Sequence, residues 1–172
     1  MKIGNVCVLM LTACVLTASE AKNLVENPAM EGNRRPWHCN SGNFKSEKAD
    51  GKSVLVVTGD SKSLENQRII QLIRGVKAED LAGKKFLLTF RLKAEKISGS
   101  FTVALHEIDR NGKSLKYHTV RLTKYDRHDW KTYRLACPLL PGCASVGIYV
   151  TADYLGADDR ILLSDLSLVP ET

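Results

Sequence analysis

Aromatic residues are scarce in this sequence, and closely paired cysteines are absent. Phe, Trp and Tyr together make up 6% of the 172 residues, and only two residues are Trp. Zinc sites and thiol redox sites commonly use Cys-x-x-Cys pairs, and the sequence contains no such pair. Chemistry of either kind therefore has no support here.

The short motifs of common enzyme classes are also missing. The sequence contains no Gly-x-Ser-x-Gly, His-Glu-x-x-His, Gly-x-Gly-x-x-Gly or phosphate-loop pattern. An acid–base group could be drawn from His118, Asp126, His128 and Asp129, but the segment around the last three reads as a polar turn before a strand. A glycosidase needs only two carboxylates that the fold brings together, so a small hydrolase stays open as an alternative.

Long runs of basic residues are absent as well. The net charge is +6, but Lys and Arg are spread along the chain and are not interleaved with aromatic residues. The sequence therefore does not favour a nucleic-acid surface. Attraction to anionic polymers is compatible with this charge.

The longest uncharged run lies at the N-terminus. Residues 3–18 carry no charge, and residues 19–21 (Ser-Glu-Ala) offer small side chains at the two positions that a signal peptidase recognises. Residues 1–21 are predicted to be a signal peptide, and the alternative is a lipoprotein signal with lipid attached to Cys14. The run is shorter than the about 20 residues that span a bilayer. We expect an exported chain, secreted or periplasmic or anchored through Cys14, with a single domain over 22–172.

Three cysteines, Cys39, Cys137 and Cys143, lie outside this leader. An exported compartment permits disulfides, and a ring between Cys137 and Cys143 would contribute roughly 2 kcal/mol if unstrained. A bridge to Cys39 and the absence of any bridge remain as alternatives. Because the number is odd, at least one thiol stays free.

Segments with helical periodicity are almost absent, while short alternating runs are frequent. Only residues 78–81 suggest a helical turn, and Gly83 ends it. Strands are predicted over residues 53–58, 68–73, 86–94, 100–109, 115–122, 130–136, 145–151 and 161–169. Evenly spaced short strands with polar turns predict an all-β antiparallel sandwich or jelly roll of about 8–10 strands.

Alternation along these strands also predicts which side chains face the core. The inward set is Leu88, Phe90, Val103, Leu105, Val120, Ile148 and Leu166. The outward set includes Arg91, His106, Tyr117 and Tyr149. Two interpretations of the outward faces remain open: a solvated sheet exterior, or a concave sheet that hydrogen-bonds a hydroxyl-rich ligand.

Several motifs occur in an order that resembles one known group of proteins. Asn-Leu-Val-x-Asn-Pro-x-x-Glu-Gly at residues 23–32 is followed by Trp37, Asp-Gly-Lys-Ser-Val-Leu at 50–55 and Gln71. Trp-Lys-x-Tyr at 130–133 and Ile-Leu-Leu-Ser-Asp-Leu-Ser-Leu at 161–168 complete the set. Together they resemble the jelly-roll carbohydrate-binding modules of families four, nine and twenty-two, within the galactose-binding-domain-like superfamily. Such modules accompany secreted polysaccharide-degrading enzymes.

The resemblance implies a structural calcium ion between the N-terminal segment and the last strand. The implied ligands are Glu31, Asp165 and oxygens around Asp50 and Lys52. Calcium takes six to eight oxygen ligands, and two carboxylates with carbonyls would suit it. The alternative is that Glu31 forms a salt bridge or caps a turn while Asp165 accepts hydrogen bonds from backbone amides.

The resemblance also implies a sugar site in which aromatic rings stack on pyranose faces and polar groups bind the hydroxyls. Trp37, in a loop, is the first candidate for stacking, with core burial as its alternative. Arg91, His106, Tyr117 and Tyr149 are the further candidates for ligand contact, and Tyr154 is a secondary candidate for stacking. Trp130 occupies a position that the family uses for packing, so it is expected to be structural.

The predicted function is that of an exported, non-catalytic module that binds a polysaccharide or glycan, with an anionic or branched glycan favoured by the basic sheet face. A separately encoded enzyme or a cell-surface component would be a further partner. The alternative is an adhesion or assembly module of the same fold that binds protein or envelope polymer, and a small jelly-roll hydrolase is the third class.

Overall fold

Ten strands and one short helix form in the part of the chain that the computed structural model describes, residues 22–32, 35–41, 43–59, 67–124 and 126–171. The predicted signal peptide lies outside these residues. The elements are β1 (His38–Cys39), β2 (Phe44–Ala49), β3 (Lys52–Thr58), β4 (Gln67–Leu72), α1 (Ala78–Leu81), β5 (Lys85–Lys96), β6 (Ser100–Ile108), β7 (Ser114–Thr123), β8 (His128–Pro138), β9 (Ser145–Asp153) and β10 (Arg160–Pro170).

The strands form two antiparallel five-stranded sheets that pack as a sandwich. Sheet A has the order β1-β4-β9-β6-β7, and sheet B has the order β2-β3-β10-β5-β8. All eight predicted strands are present. The sequence prediction missed β1 and β2, because β1 has only two residues and β2 buries a single side chain, Phe44, among lysines and a glutamate.

The core lies between the sheets, and its register agrees with the alternation of the sequence. Six of the seven residues predicted to face inward are buried, and the seventh, Val120, is partly buried against the core because β7 is an edge strand. On β6 the inward side chains Phe101, Val103 and Leu105 are completely buried. A slip of one residue would have inverted these faces, so the predicted register is confirmed.

The inward face of β6 ends in a charged residue instead of an apolar one. Glu107 is fully buried, and its Oε1 lies 2.7 Å from Nε2 of His118 on β7. Its Oε2 accepts a hydrogen bond of 2.8 Å from the backbone N–H of Leu140. A buried carboxylate is costly unless it is paired and hydrogen-bonded, and here both oxygens have partners.

Amide side chains attach the N-terminal segment to both sheets. The Asn23 amide group donates to the carbonyl oxygen of Leu166 (3.2 Å), and its oxygen accepts from the N–H of Leu168 (2.9 Å). Gln71 on β4 donates to the carbonyl of Glu26 (2.6 Å) and accepts from the N–H of Glu26 (2.8 Å). Asn23 and Gln71, both residues of the motif set, thus hold the N-terminal segment against the two sheets.

The three cysteines outside the leader are free thiols. Cys137 and Cys143 are buried, and their thiols donate to the carbonyl oxygens of Leu135 and Ser145. Burial raises the pKa of Cys137 to about 12, so it stays a protonated thiol at ordinary pH. Of the alternatives that the sequence left open, the structure has the one without a bridge.

A membrane-crossing helix was not expected from the sequence. Across the described ranges, no helix is long and apolar enough to span a bilayer.

Candidate functional site

The outward surface of sheet A brings together three of the predicted ligand residues. Strand pairing aligns its outward positions in rows that cross the sheet. One row contains Leu72, Gly147, His106 and Tyr117; the next contains Ile70, Tyr149, Ala104 and Thr119; the third contains Arg68, Thr151, Thr102 and Arg121. We call the surface formed by these three rows the sheet A face.

Three rings form a compact cluster at the centre of this face. The rings of His106 and Tyr117 are stacked, with centroids 4.0 Å apart and planes 3° apart. Tyr149 meets both edge-on, at 5.0 Å from His106 and 6.0 Å from Tyr117. Tyr117 is 48% exposed, so the cluster presents an accessible ring to solvent. Offset and edge-on contacts of this kind stabilise aromatic clusters beyond the area that they bury.

A glycine beside the cluster lets the rings lie close to the backbone. A Cβ atom at Gly147 would come within 3.1 Å of both Cε2 of Tyr149 and Cδ2 of Leu72. The missing side chain therefore leaves space for these two groups, and Leu72 remains 43% exposed next to them. The sequence analysis assigned no role to Leu72 or Gly147. A glycine within an alternating strand is the signal that could have indicated a close approach at this position.

The polar atoms of the cluster are neutral hydrogen-bonding groups. His106 is 6% exposed, its Nε2 lies 2.8 Å from Oγ of Ser114, and its Nδ1 has no protein partner among the described residues. Burial lowers the pKa of His106, while the nearby Glu107 acts in the opposite direction. Burial also raises the pKa of Tyr149. Tyr117 raises this pKa further, whereas the positive charge of Arg68 lowers it. Neutral imidazole and phenol groups are suited to binding hydroxyl groups.

Two of the predicted ligand residues lie elsewhere. Trp37 is 6% exposed, packs in the core, and donates from Nε1 to the carbonyl oxygen of Asn27 (2.6 Å). It therefore does not form an exposed platform, and the alternative of core burial is the one that the structure shows. Arg91 belongs to β5 in sheet B, where its guanidinium lies 5.1 Å from the centre of the Trp130 ring.

The outward surface of sheet B is covered by its own side chains. Trp130 packs on an apolar cluster of Val54, Val56 and Leu162, which agrees with its predicted structural role. Ion pairs extend across the same surface: Glu47–Arg160 at 2.9 Å, Arg160–Glu95 at 3.4 Å, Lys93–Glu95 at 4.0 Å and Lys93–Asp129 at 3.4 Å. Trp130 and several charged groups of this surface thus already have partners within the protein.

The residues of the expected calcium site do not form a cage of oxygens. Oε1 of Glu31 lies 3.7 Å from Nζ of Lys48, and Oδ1 of Asp165 lies 3.5 Å from Nζ of Lys52. Asp50 accepts a hydrogen bond of 3.1 Å from Nε1 of Trp130. A hydrogen bond from Ser53 and the charge of Lys48 lower the pKa of Glu31.

Lysine ammonium groups thus stand beside both carboxylates of the expected site. Within the described residues, no group of three or more His, Cys, Asp or Glu side chains could hold a metal ion. This donor set does not fit calcium, which needs several oxygens directed at one point. Structural calcium therefore stays a prediction of the sequence.

The four residues considered for acid–base chemistry have separate roles. His118 faces Glu107 between the sheets, whereas Asp126 accepts a hydrogen bond of 2.7 Å from the N–H of Thr123 and closes a turn. Nε2 of His128 lies 3.2 Å from the hydroxyl of Tyr133, and Asp129 is paired with Lys93. The fold does not bring these four side chains to one point.

Solved structures share this arrangement of two sheets. A family 16 carbohydrate-binding module superimposes with a TM-score of 0.63 at 15% identity, over 86% of this chain and 99% of the module. A family 61 module, solved with β-1,4-galactotriose, gives a TM-score of 0.56 at 19% identity over 88% and 100% of the two chains. The chain has the jelly-roll fold of carbohydrate-binding modules.

A xylan-binding family 22 module from Paenibacillus barcinonensis is also similar, with a TM-score of 0.56 at 15% identity over 87% of this chain and 95% of that chain. Some similar structures are enzymes, of which this chain matches only a part. It covers 21% of the enzymatically active domain of a bacteriophage CBA120 tailspike protein and 27% of an arabinofuranosidase. Neither a protein-family model nor a curated protein matches the sequence.

Proposed function

We propose that this protein is an exported, non-catalytic module that binds carbohydrate on the sheet A face. The observation that carries this proposal is the cluster of Tyr117, His106 and Tyr149, in which one ring is half exposed and the polar atoms are neutral. The export part of the proposal rests on the signal-like residues 1–21.

The chemistry of the cluster suits a sugar ring. The C–H groups on a pyranose face pack well against an aromatic ring, and hydroxyl groups at the rim need hydrogen-bonding partners. Tyr117 supplies the exposed ring, and Tyr149, whose ring meets it edge-on, supplies a hydroxyl group next to it. Leu72, in the same row, widens the apolar part of the surface.

A binding role is also supported by how the two sheet surfaces differ. Sheet B covers its apolar patch with Trp130 and pairs several of its charges, whereas sheet A leaves Tyr117 and Leu72 exposed. The similar structures that match over nearly their whole length are carbohydrate-binding modules. The similar enzymes contain this fold as a small part of a longer chain, which supports a non-catalytic role.

Removing the exposed ring tests this proposal. We expect Tyr117→Ala to weaken glycan binding by about 30-fold, because truncating an aromatic anchor commonly costs about 2 kcal/mol or more. The free energy of unfolding should fall by only about 1 kcal/mol from the lost ring contacts, and the fold should persist, since Tyr117 lies on an edge strand and is half exposed. Affinity electrophoresis against a panel of neutral and acidic polysaccharides measures the binding, and thermal melting measures the stability.

The matched control is Tyr154→Ala, which removes an exposed tyrosine from the loop after β9, outside the sheet A face. This control should bind like the wild type. Equal weakening by both substitutions would mean that the sheet A face is not the site. A wild-type protein that no polysaccharide retards would favour the alternative of an adhesion or assembly module, for which the exposed Leu72 and Tyr117 would be the protein contact.

A further inference from the structure

One row of the sheet A face places an arginine on each side of two threonines. Arg68 pairs with Thr151, Thr151 with Thr102, and Thr102 with Arg121. Both arginines are exposed. Three strand spacings of about 4.8 Å separate their backbones, so the two side chains rise from the sheet about 14 Å apart. Threonine hydroxyls fill the space between them.

These arginines have no carboxylate partner in the described part of the chain. Every ion pair of Lys or Arg found there uses other cations, such as Lys93, Arg91 and Arg160 on sheet B. Along the outward positions of β4, β6, β7 and β9, the only acidic residue is Asp153, at the end of β9. The positive charge of the sheet A face is therefore not neutralised by these strands, whereas on sheet B ion pairs neutralise Arg91, Lys93 and Arg160.

The basic row is continuous with the aromatic cluster. Tyr149 lies two residues before Thr151 on β9, so its side chain is in the neighbouring row of the same face. Arg68 is close enough for its charge to act on the Tyr149 phenol. A polymer in contact with the rings would therefore lie within reach of both guanidinium groups.

Arginine is well suited to recognising acidic groups on such a polymer. The planar guanidinium binds a carboxylate with two parallel hydrogen bonds, and these charge-assisted bonds are stronger than neutral ones. A neutral glycan can also accept hydrogen bonds from a guanidinium group, but only an acidic glycan adds the attraction between opposite charges.

We infer that the sheet A face binds an acidic polysaccharide, with Tyr117 stacking on a sugar ring and Arg68 and Arg121 pairing with carboxylate or sulfate groups of the chain. This inference rests on the proposed function and adds the chemical class of its ligand. Nucleic acid offers anionic groups and stacking bases as well, but the two threonines between the arginines favour a hydroxyl-rich polymer.

A pair of polymers that differ only in charge tests the inference directly. Polygalacturonate and its methyl ester share a backbone, and alginate and chondroitin sulfate extend the acidic set, while xylan, β-1,4-galactan and mixed-linkage glucan are neutral. We expect retention by at least one acidic polymer and little by its neutral counterparts. The double variant Arg68→Gln with Arg121→Gln should lower the affinity for that polymer by about tenfold or more.

The matched control is Arg134→Gln, which removes an exposed arginine from β8 in sheet B. This variant should bind like the wild type in the same buffer, whereas the single variants Arg68→Gln and Arg121→Gln, which remove the same charge, should each weaken binding. Affinity should also fall as salt is raised, because ions screen exposed charges. Thermal melting of each variant shows whether it is folded.

Each other outcome overturns a defined part of the account. Equal binding of neutral and acidic polysaccharides, with loss in Tyr117→Ala, overturns the acidic ligand and leaves the proposed function standing. Equal retention by double-stranded DNA, or equal weakening by Arg134→Gln, shows general attraction to polyanions and overturns the inference. Retention by no polysaccharide overturns both.

Discussion

The indole of Trp37 is held by packing and by a hydrogen bond at the same time. Its ring is part of the core cluster, and Nε1 donates to the carbonyl oxygen of Asn27, whose side chain also bonds the backbone of Glu31 and Arg35. The residue thus links a loop to the core. An aromatic residue in a loop predicts a ligand platform only if nothing folds over it, and the local sequence does not contain that information.

We expect Trp37→Ala to destabilise the protein by about 3–5 kcal/mol, the usual cost of removing a large buried aromatic side chain. Trp37→Phe should cost less, because it keeps most of the packing and loses the hydrogen bond to Asn27. Chemical denaturation monitored by circular dichroism measures both. A Trp37→Ala variant that is as stable as the wild type but no longer binds glycan would return Trp37 to the ligand site.

At the scale of elements, β6 carries different functions on its two faces. Its inward side chains build the core up to Leu105 and then contribute Glu107, while its outward side chains contribute His106 to the ring cluster. Glu107 contacts His118 on the edge strand β7 and Leu140 in the loop before β9. This one carboxylate therefore connects three separate parts of the fold.

Removing that carboxylate should be costly. We expect Glu107→Ala to lower the free energy of unfolding by about 1–3 kcal/mol, because the buried His118 and the partly buried N–H of Leu140 lose their hydrogen-bond partner. The double variant Glu107→Leu with His118→Leu should lose less stability than the sum of the losses in the single variants Glu107→Leu and His118→Leu. A double-mutant cycle from urea denaturation measures this coupling, and additive effects would show that the two residues act independently.

The strands could be predicted from the sequence wherever apolar and polar residues alternate regularly along the chain. The long strands alternate apolar and polar residues, so eight strands and their inward faces could be read directly. β2 was not predicted, because its sequence Phe-Lys-Ser-Glu-Lys-Ala contains one buried residue and belongs to a sheet edge. Alternation with Leu105 places Glu107 on the inward face, but a charged side chain is not expected at a core position from the sequence alone.

The candidate site was only partly predictable, for a related reason. Alternation placed His106, Tyr117 and Tyr149 on outward faces, but which strands are neighbours is a property of the whole sheet. The pairing of β9 with both β4 and β6 brings Arg68 and Leu72 next to Tyr149 and His106, although β4 and β9 are far apart in sequence. Arg91 also alternates outward, but it belongs to the other sheet.

At the scale of the whole molecule, the N-terminal segment connects the two sheets, because it forms hydrogen bonds with both. Asn23 bonds to β10 in sheet B, and Glu26 bonds to Gln71 in sheet A. The resemblance to family four, nine and twenty-two modules implied that calcium makes this connection through Glu31 and Asp165. The described contacts instead show amides holding the segment and lysines beside the two carboxylates.

Chelation separates these two accounts of how the segment is held. If amides hold it, EDTA should leave the melting temperature unchanged, whereas Asn23→Ala should lower it because three hydrogen bonds of the Asn23 side chain are lost. A ligand that binds only the folded state raises the melting temperature, so bound calcium would appear as a decrease with EDTA and a recovery with added calcium. That result would require Lys48 and Lys52 to move away from Glu31 and Asp165, and Glu31→Gln should then abolish the response to calcium.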